Sequence, residues 1–368
     1  MEKTKQCNCT LDIGISDHVY MYDWLRLLLM ICVVVGHSAW YVYGTQYGWV
    51  DYSAIVDDNP AFKTVLAHLS TIKEWIYGFH MPAFFFLSGG VFRLKRSYVF
   101  DELTWKKTKK LIFPYLAVGL FFLLPIKIET GFYSKENAAE AVRLFLGGAE
   151  TQHLWFLPAL FWCIEWYCAV QKLLLRLCIK SETLLLAAVS LVGFLGNYLQ
   201  SDYFLIKTAS SYIIWFALGS LFEKFRLPIR NKMDNPIVII PLCLLAFMAS
   251  IIGYSTRTLY DNSAIVINIL FVVSLSYLCA RGVGEKIILR LVKYSFYIYL
   301  FHEPLNFIVL RYFFKYRSIG LSYTDAFVYI GIRTVGVTLV SMAMGMICEC
   351  VIKMVKVHIF ANAIKSRE

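Results

Sequence analysis

Charge is scarce in this chain: acidic and basic side chains together make up 17% of its 368 residues, against 59% hydrophobic and 17% aromatic. That balance excludes a soluble globule of ordinary usage and points to a polytopic membrane protein. A small-residue cleavage site after the first apolar run is also missing, so that run reads as a retained first span rather than a removable signal. There is no Gly/Ser linker, soluble domain, internal repeat, low-complexity tract or inverted pair of interrupted helices, which argues against a secondary transporter. No H-E-x-x-H, Gly-rich phosphate loop or G-x-S-x-G occurs, and no metal-ligand set with a defined spacing emerges, so no metal is expected. What chemistry there is falls to histidine.

Cysteine is present in ten copies but not where a disulfide or zinc set would place it. Cys32, Cys163, Cys168, Cys243, Cys279 and Cys348 lie within apolar runs, and Cys178 and Cys350 lie near their ends. Only Cys7 and Cys9 sit in a polar segment, and C-N-C is neither a zinc nor a thioredoxin spacing. Cysteine here reads as a small hydrophobe.

Ten apolar runs are long enough to cross a hydrocarbon layer of about 30 Å as helices of about 20 residues. They cover 24–43, 72–92, 111–128, 154–175, 183–198, 204–221, 236–252, 264–279, 287–310 and 326–352. With ten spans, alternate connections share a side, and the basic residues sort accordingly. The connections after spans two, four, six and eight hold Arg93, Lys95, Arg96 and Lys106 to Lys110; Lys172, Arg176 and Lys180; Lys224, Arg226, Arg230 and Lys232; then Arg281, Lys286, Arg290 and Lys293. The other side has fewer, among them Lys63, Lys127, Arg143, Arg257 and Arg311, diluted by Asp51, Asp57, Asp58, Glu129 and Glu140. The net charge of +11 is therefore mostly a topology signal rather than a nucleic-acid footprint. The expected fold is all-α and polytopic, with about ten transmembrane helices and both termini cytoplasmic. Residues 1–19 form an N-terminal segment, 20–355 the membrane domain and 356–368 a cytoplasmic tail.

Charged side chains at membrane depth are costly, so each is a functional candidate. Arg26 lies just inside the cytoplasmic edge of the first span, where snorkelling or anchoring explains it as well as function does. His37 follows eleven residues later, which returns to within ~20° of the same helix face and ~16 Å along the axis. One face thus carries a cation near the cytoplasm and an imidazole deeper in. A packing histidine is the competing reading. The second span, "GFHMPAFFFLSGG", sets His80 before a Met-Pro pair expected to kink the helix and open room beside it. Ser88 and Gly89 follow, read first as packing residues. "WKKTKKLIFPY" contributes Lys106, Lys109 and Lys110, either a positive-inside cluster or a phosphate site. In the fourth span, His153 and Trp155 suit the outer interface, while Glu165 is expected near mid-membrane beside an internal cation. The ninth, "YSFYIYLFHEPL", holds His302 and Glu303, the carboxylate placed to orient or charge an imidazole. Trp40, Tyr41, Tyr43, Tyr47, Trp49 and Tyr52 suit either sugar stacking or an interfacial belt.

Taken in order, R-x10-H, F-H-M-P-x-F-F-F-L-S-G, K-K-x-x-x-P-Y, H-L-W-F-L and S-F-x-I-Y-L-x-H resemble the motif set of the acyltransferase 3 family of integral-membrane acyltransferases, across nearly the whole chain. The resemblance implies transfer of an acyl group, commonly acetyl, from cytosolic acyl-CoA to a hydroxyl of cell-surface or lipid-linked carbohydrate. It implies a catalytic role for His37, with Arg26 as its partner at the acyl-CoA. Ser88 and Lys106, Lys109 and Lys110 match positions at the same donor end. His302 matches a frequent histidine, and His80, Glu303 and Glu165 are supporting candidates. About 16 residues follow the last span, so the stand-alone type without an extracytoplasmic hydrolase-like domain is expected.

The expected partners are acyl-CoA as co-substrate, a carbohydrate or glycolipid acceptor and the lipid bilayer, with no tightly bound cofactor and no nucleic acid. The expected location is the bacterial cytoplasmic membrane. Neutral His37 would act as general base on the acceptor hydroxyl, with a transient acyl-histidine as the variant mechanism. The rival reading is a secondary transporter or channel using Arg26, His37, Glu165, His302 and Glu303 as a proton or substrate path.

Overall fold

A computed structural model describes residues 19–39, 60–94, 100–129, 137–255, 262–281, 285–309 and 323–365. Among these there is no strand. The helices are α1 (Tyr20–Ser38), α2 (Pro60–Arg93), α3 (Phe100–Glu129), α4 (Ala138–Leu146), α5 (Phe156–Arg176), α6 (Glu182–Asn197), α7 (Ile206–Met233), α8 (Pro236–Ser255), α9 (Asn262–Cys279), α10 (Glu285–Val309) and α11 (Tyr323–Lys365). Each of the ten apolar runs falls on helix where it is described, apart from the turn residues Ala39 and Tyr198, where the described part of two of them ends. Among the described residues, seven helices are long and apolar enough to cross a membrane: α1, α3, α5, α7, α8, α9 and α11. Of the other three runs, that on α6 is short at 16 residues. Those on α2 and α10 have the length, at 34 and 25 residues, but polar groups such as His80, His302 and Glu303 dilute them. Trp40, Tyr41, Tyr43, Tyr47, Trp49 and Tyr52, the polar Cys7 and Cys9, and the first 18 residues lie outside the described residues.

The Met-Pro pair lies inside α2, which runs on through Pro82, and His80 beside it is 4% exposed. One reading of local structure needs correction. The basic stretches taken as connections are partly helical: Lys106 to Lys110 lie within α3, and α7 continues through Lys224, Arg226 and Lys232. Proline also marks α3, where the turns Thr108–Ile112 and Gly119–Leu123 widen to π geometry. Pro114 and Pro125 follow them, and each lacks the N–H that would bond four residues back, to Lys110 and Phe121. The widened turns absorb those two missing hydrogen bonds.

The chain divides into two compact units, the first comprising Met1–Leu29, Tyr77–Gly119 and Glu140–Val283, the second Met30–Ile76, Leu120–Ala139 and Gly284–Glu368. In the first, α7 packs on α5 and α6, and α8 on α9. The approach of α2 to α7 depends on glycine. A Cβ on Gly89 would strike the Phe216 carbonyl, and one on Gly219 the Phe86 carbonyl. Gly89 therefore serves packing, as its small size suggests. The buried charges of α7 in this unit are paired. Glu223, 0% exposed, accepts from Tyr22 at 2.6 Å and from Arg226 at 2.6 and 2.7 Å. Removing one partner of such a buried pair costs roughly 3–5 kcal/mol. On the same unit Arg93 donates to Glu182 at 2.8 Å, with Lys224 3.1 Å from the same carboxylate.

In the second unit α10 and α11 run antiparallel. Tyr297 lies against Gly345, Lys293 pairs with Glu349 at 2.6 Å, and Asn306 meets Arg333, so residues ahead on one helix meet residues behind on the other. The end of α3 packs on α10, with Phe122 edge-on to Phe301 at 5.2 Å. The eight described cysteines form no disulfide, and Cys163, Cys168 and Cys243 are buried as small hydrophobes are.

Candidate active site

The last turn of α1 carries His37, and the second unit builds a site around it. Glu303 Oε1 stands 3.4 Å from His37 Nδ1, with the two side chains 6% and 15% exposed respectively. A carboxylate at that nitrogen selects the tautomer with hydrogen on Nδ1, leaving Nε2 as the basic atom. His302 lies edge-on to His37, ring centroids 5.0 Å apart. Its own Nδ1 is 3.0 Å from the Ile298 carbonyl and 2.8 Å from that of Tyr299. Carbonyl oxygens only accept, so this nitrogen is the N–H donor. These carbonyls lie four and three residues back on the same helix, so α10 itself fixes the His302 ring.

Two residues that the sequence reading did not single out complete the cluster. Arg333, on α11 and 1% exposed, donates through Nη1 to the Ser38 carbonyl at 2.8 Å and has Nη2 3.5 Å from that of His37. These are terminal carbonyls of α1, which lack intrahelical partners and attract cations. Arg333 Nε donates to Asn306 Oδ1 at 3.2 Å. Arg333 had a readable signal, being a charge inside the apolar run 326–352. Asn306, uncharged, had none.

The first unit holds the other sequence-predicted residues. Arg26, half-buried on α1, has Asp23 as its electrostatic neighbour three residues earlier. His80 meets Tyr77 edge-on at 5.0 Å. Ser88 is half-buried. Lys106 and Lys110 are exposed, Lys106 lying 3.5 Å from Glu102, and Lys109 lies over the Trp105 ring at 4.5 Å. Glu165 accepts from the Thr104 hydroxyl at 2.7 Å and feels the Lys107 charge. That places Glu165 with the lysine-bearing end of α3. His153 is buried. Lys127, read as a connection residue, is 0% exposed.

The class follows from fold and site together: an all-helical membrane protein with an imidazole–carboxylate pair fit for general-base chemistry. The chain belongs to the acyltransferase 3 family, whose model, described as an acyltransferase domain, matches residues 19–346 of 368. That family makes it a membrane acyltransferase. No curated protein and no solved structure matches the chain.

Proposed function

We propose that the chain is a ten-span O-acyltransferase of the bacterial cytoplasmic membrane, both termini cytoplasmic, moving an acyl group, in the first instance acetyl, from acyl-CoA to a hydroxyl of cell-surface or lipid-linked carbohydrate. The observation that carries this reading is the approach of Glu303 to His37 Nδ1 at 3.4 Å. With Nδ1–H held by the carboxylate, Nε2 takes the proton of the acceptor hydroxyl as its oxygen bonds to the thioester carbonyl carbon. The tetrahedral intermediate collapses with cleavage of the C–S bond, and the imidazolium returns the proton to the departing thiolate. Proton transfer of this kind contributes about 10²- to 10⁴-fold. Glu303 stabilises the imidazolium as it forms, and the His302 ring, its Nδ1–H held by backbone carbonyls, walls the base.

Arg26 and the exposed ammoniums of Lys106, Lys109 and Lys110 receive the anionic phosphates of the acyl donor from the cytoplasm, with Ser88 at the same end. The test is purified protein in detergent with acetyl-CoA and a lipid-linked or capsular glycan acceptor. Free thiol appearing only with both substrates supports the enzyme. Flux in proteoliposomes without thiol release supports a transporter instead.

A further inference from the structure

Asn306 has no place in the proton chemistry above, yet it sits where that chemistry needs something more. It lies three residues after Glu303 and four after His302, the spacing that puts side chains on one face of a helix. It is 0% exposed. Its orientation is fixed, because Arg333 Nε can only donate, so the oxygen of the amide must face it. The NH₂ is left on the other side, and Nδ2 is buried with no hydrogen-bond partner among the described residues. The Ser38 hydroxyl, next to His37, is buried in the same condition. A buried, uncommitted donor is costly to a fold and calls for a reason. The guanidinium that fixes Asn306 also holds the His37 and Ser38 carbonyls, so one cation sets both the base and the amide.

A reaction centre that adds an alkoxide to a thioester carbonyl develops negative charge on the carbonyl oxygen, and preorganised amide donors are what stabilise it. We propose that Asn306 Nδ2 is the oxyanion donor of this site, and that Arg333 is the positioning residue that aims it. This rests on the acyl-transfer reading of His37. As the carbonyl oxygen gains charge, Nδ2–H donates to it, and the bond relaxes when the C–S bond breaks. No proton is transferred from the amide.

Two substitutions separate this role from packing. Asn306→Asp keeps size and gives Arg333 a stronger partner while removing the NH₂, and Asn306→Ala removes the amide without adding charge. Loss of one oxyanion donor typically costs about 10²- to 10³-fold in turnover. Steady-state thiol release, together with thermal unfolding in detergent, reads both. Expected for Asn306→Asp is a kcat at least 100-fold lower, with KM for acetyl-CoA within threefold and an unchanged unfolding temperature. Asn306→Ala should also lose kcat rather than donor affinity. A kcat within threefold of the parent for Asn306→Asp overturns the inference, and so does a loss expressed as a raised KM. If Asn306→Asp turns over normally while His37→Ala is dead, only this inference falls. If the parent releases no thiol at all, both fall.

Discussion

Replacing Glu303 by Gln probes the site with the least disturbance of shape. The carboxylate stands 3.4 Å from His37 Nδ1, almost out of solvent. At an effective dielectric of about 20, a full imidazolium there interacts with the carboxylate by about 5 kcal/mol. Each 1.36 kcal/mol is tenfold in rate, so complete loss would be about 3.5 decades. Glutamine in the same place still presents a carbonyl oxygen to Nδ1–H and keeps part of the orientation. The expected fall in kcat is therefore about 10²- to 10³-fold, with KM for the acyl donor unchanged, since the interaction develops as the proton moves. The assay is acceptor-dependent thiol release by purified protein, normalised to folded material. A Glu303→Gln variant within threefold of the parent would refute the role of the carboxylate.

Arg26→Ala should raise KM for acetyl-CoA at least tenfold, as expected for loss of a charge-assisted contact of about 1.5–3 kcal/mol, and leave kcat within threefold; titration of the acyl donor checks this, and a normal KM contradicts the assignment. Gly89→Ala forces a methyl group against the Phe216 carbonyl, an overpacking cost of about 1–3 kcal/mol that should lower the unfolding temperature in detergent. Gly336→Ala, where a Cβ meets nothing within 4 Å, is the matched control and should not lower it.

The helical frame was open to sequence reading because apolar runs of membrane length admit little else, and His37, His302 and Glu303 stood out as ionisable residues inside those runs. What brought them together was not readable, since it depends on tertiary placement of α1 against a helix more than 260 residues away in sequence. Arg333 obeys the same rule of costly intramembrane charge, but the α1 carbonyls it holds are brought to it only by the fold. Asn306 carries no charge and no motif, so only its buried amide reveals it. The π turns ahead of Pro114 and Pro125 in α3 have no composition signal. Arg226 was counted as a loop charge because its partner Glu223, three residues away, becomes significant only once both are known to be buried.

The central claim is that His37 is the base of an acyl transfer to carbohydrate. It is tested most directly by mass spectrometry of cell-surface glycans from cells carrying the parent protein or His37→Ala at equal membrane levels. Acylated glycan present with the parent and absent with His37→Ala is the predicted result. Equal acylation with the two proteins would contradict it.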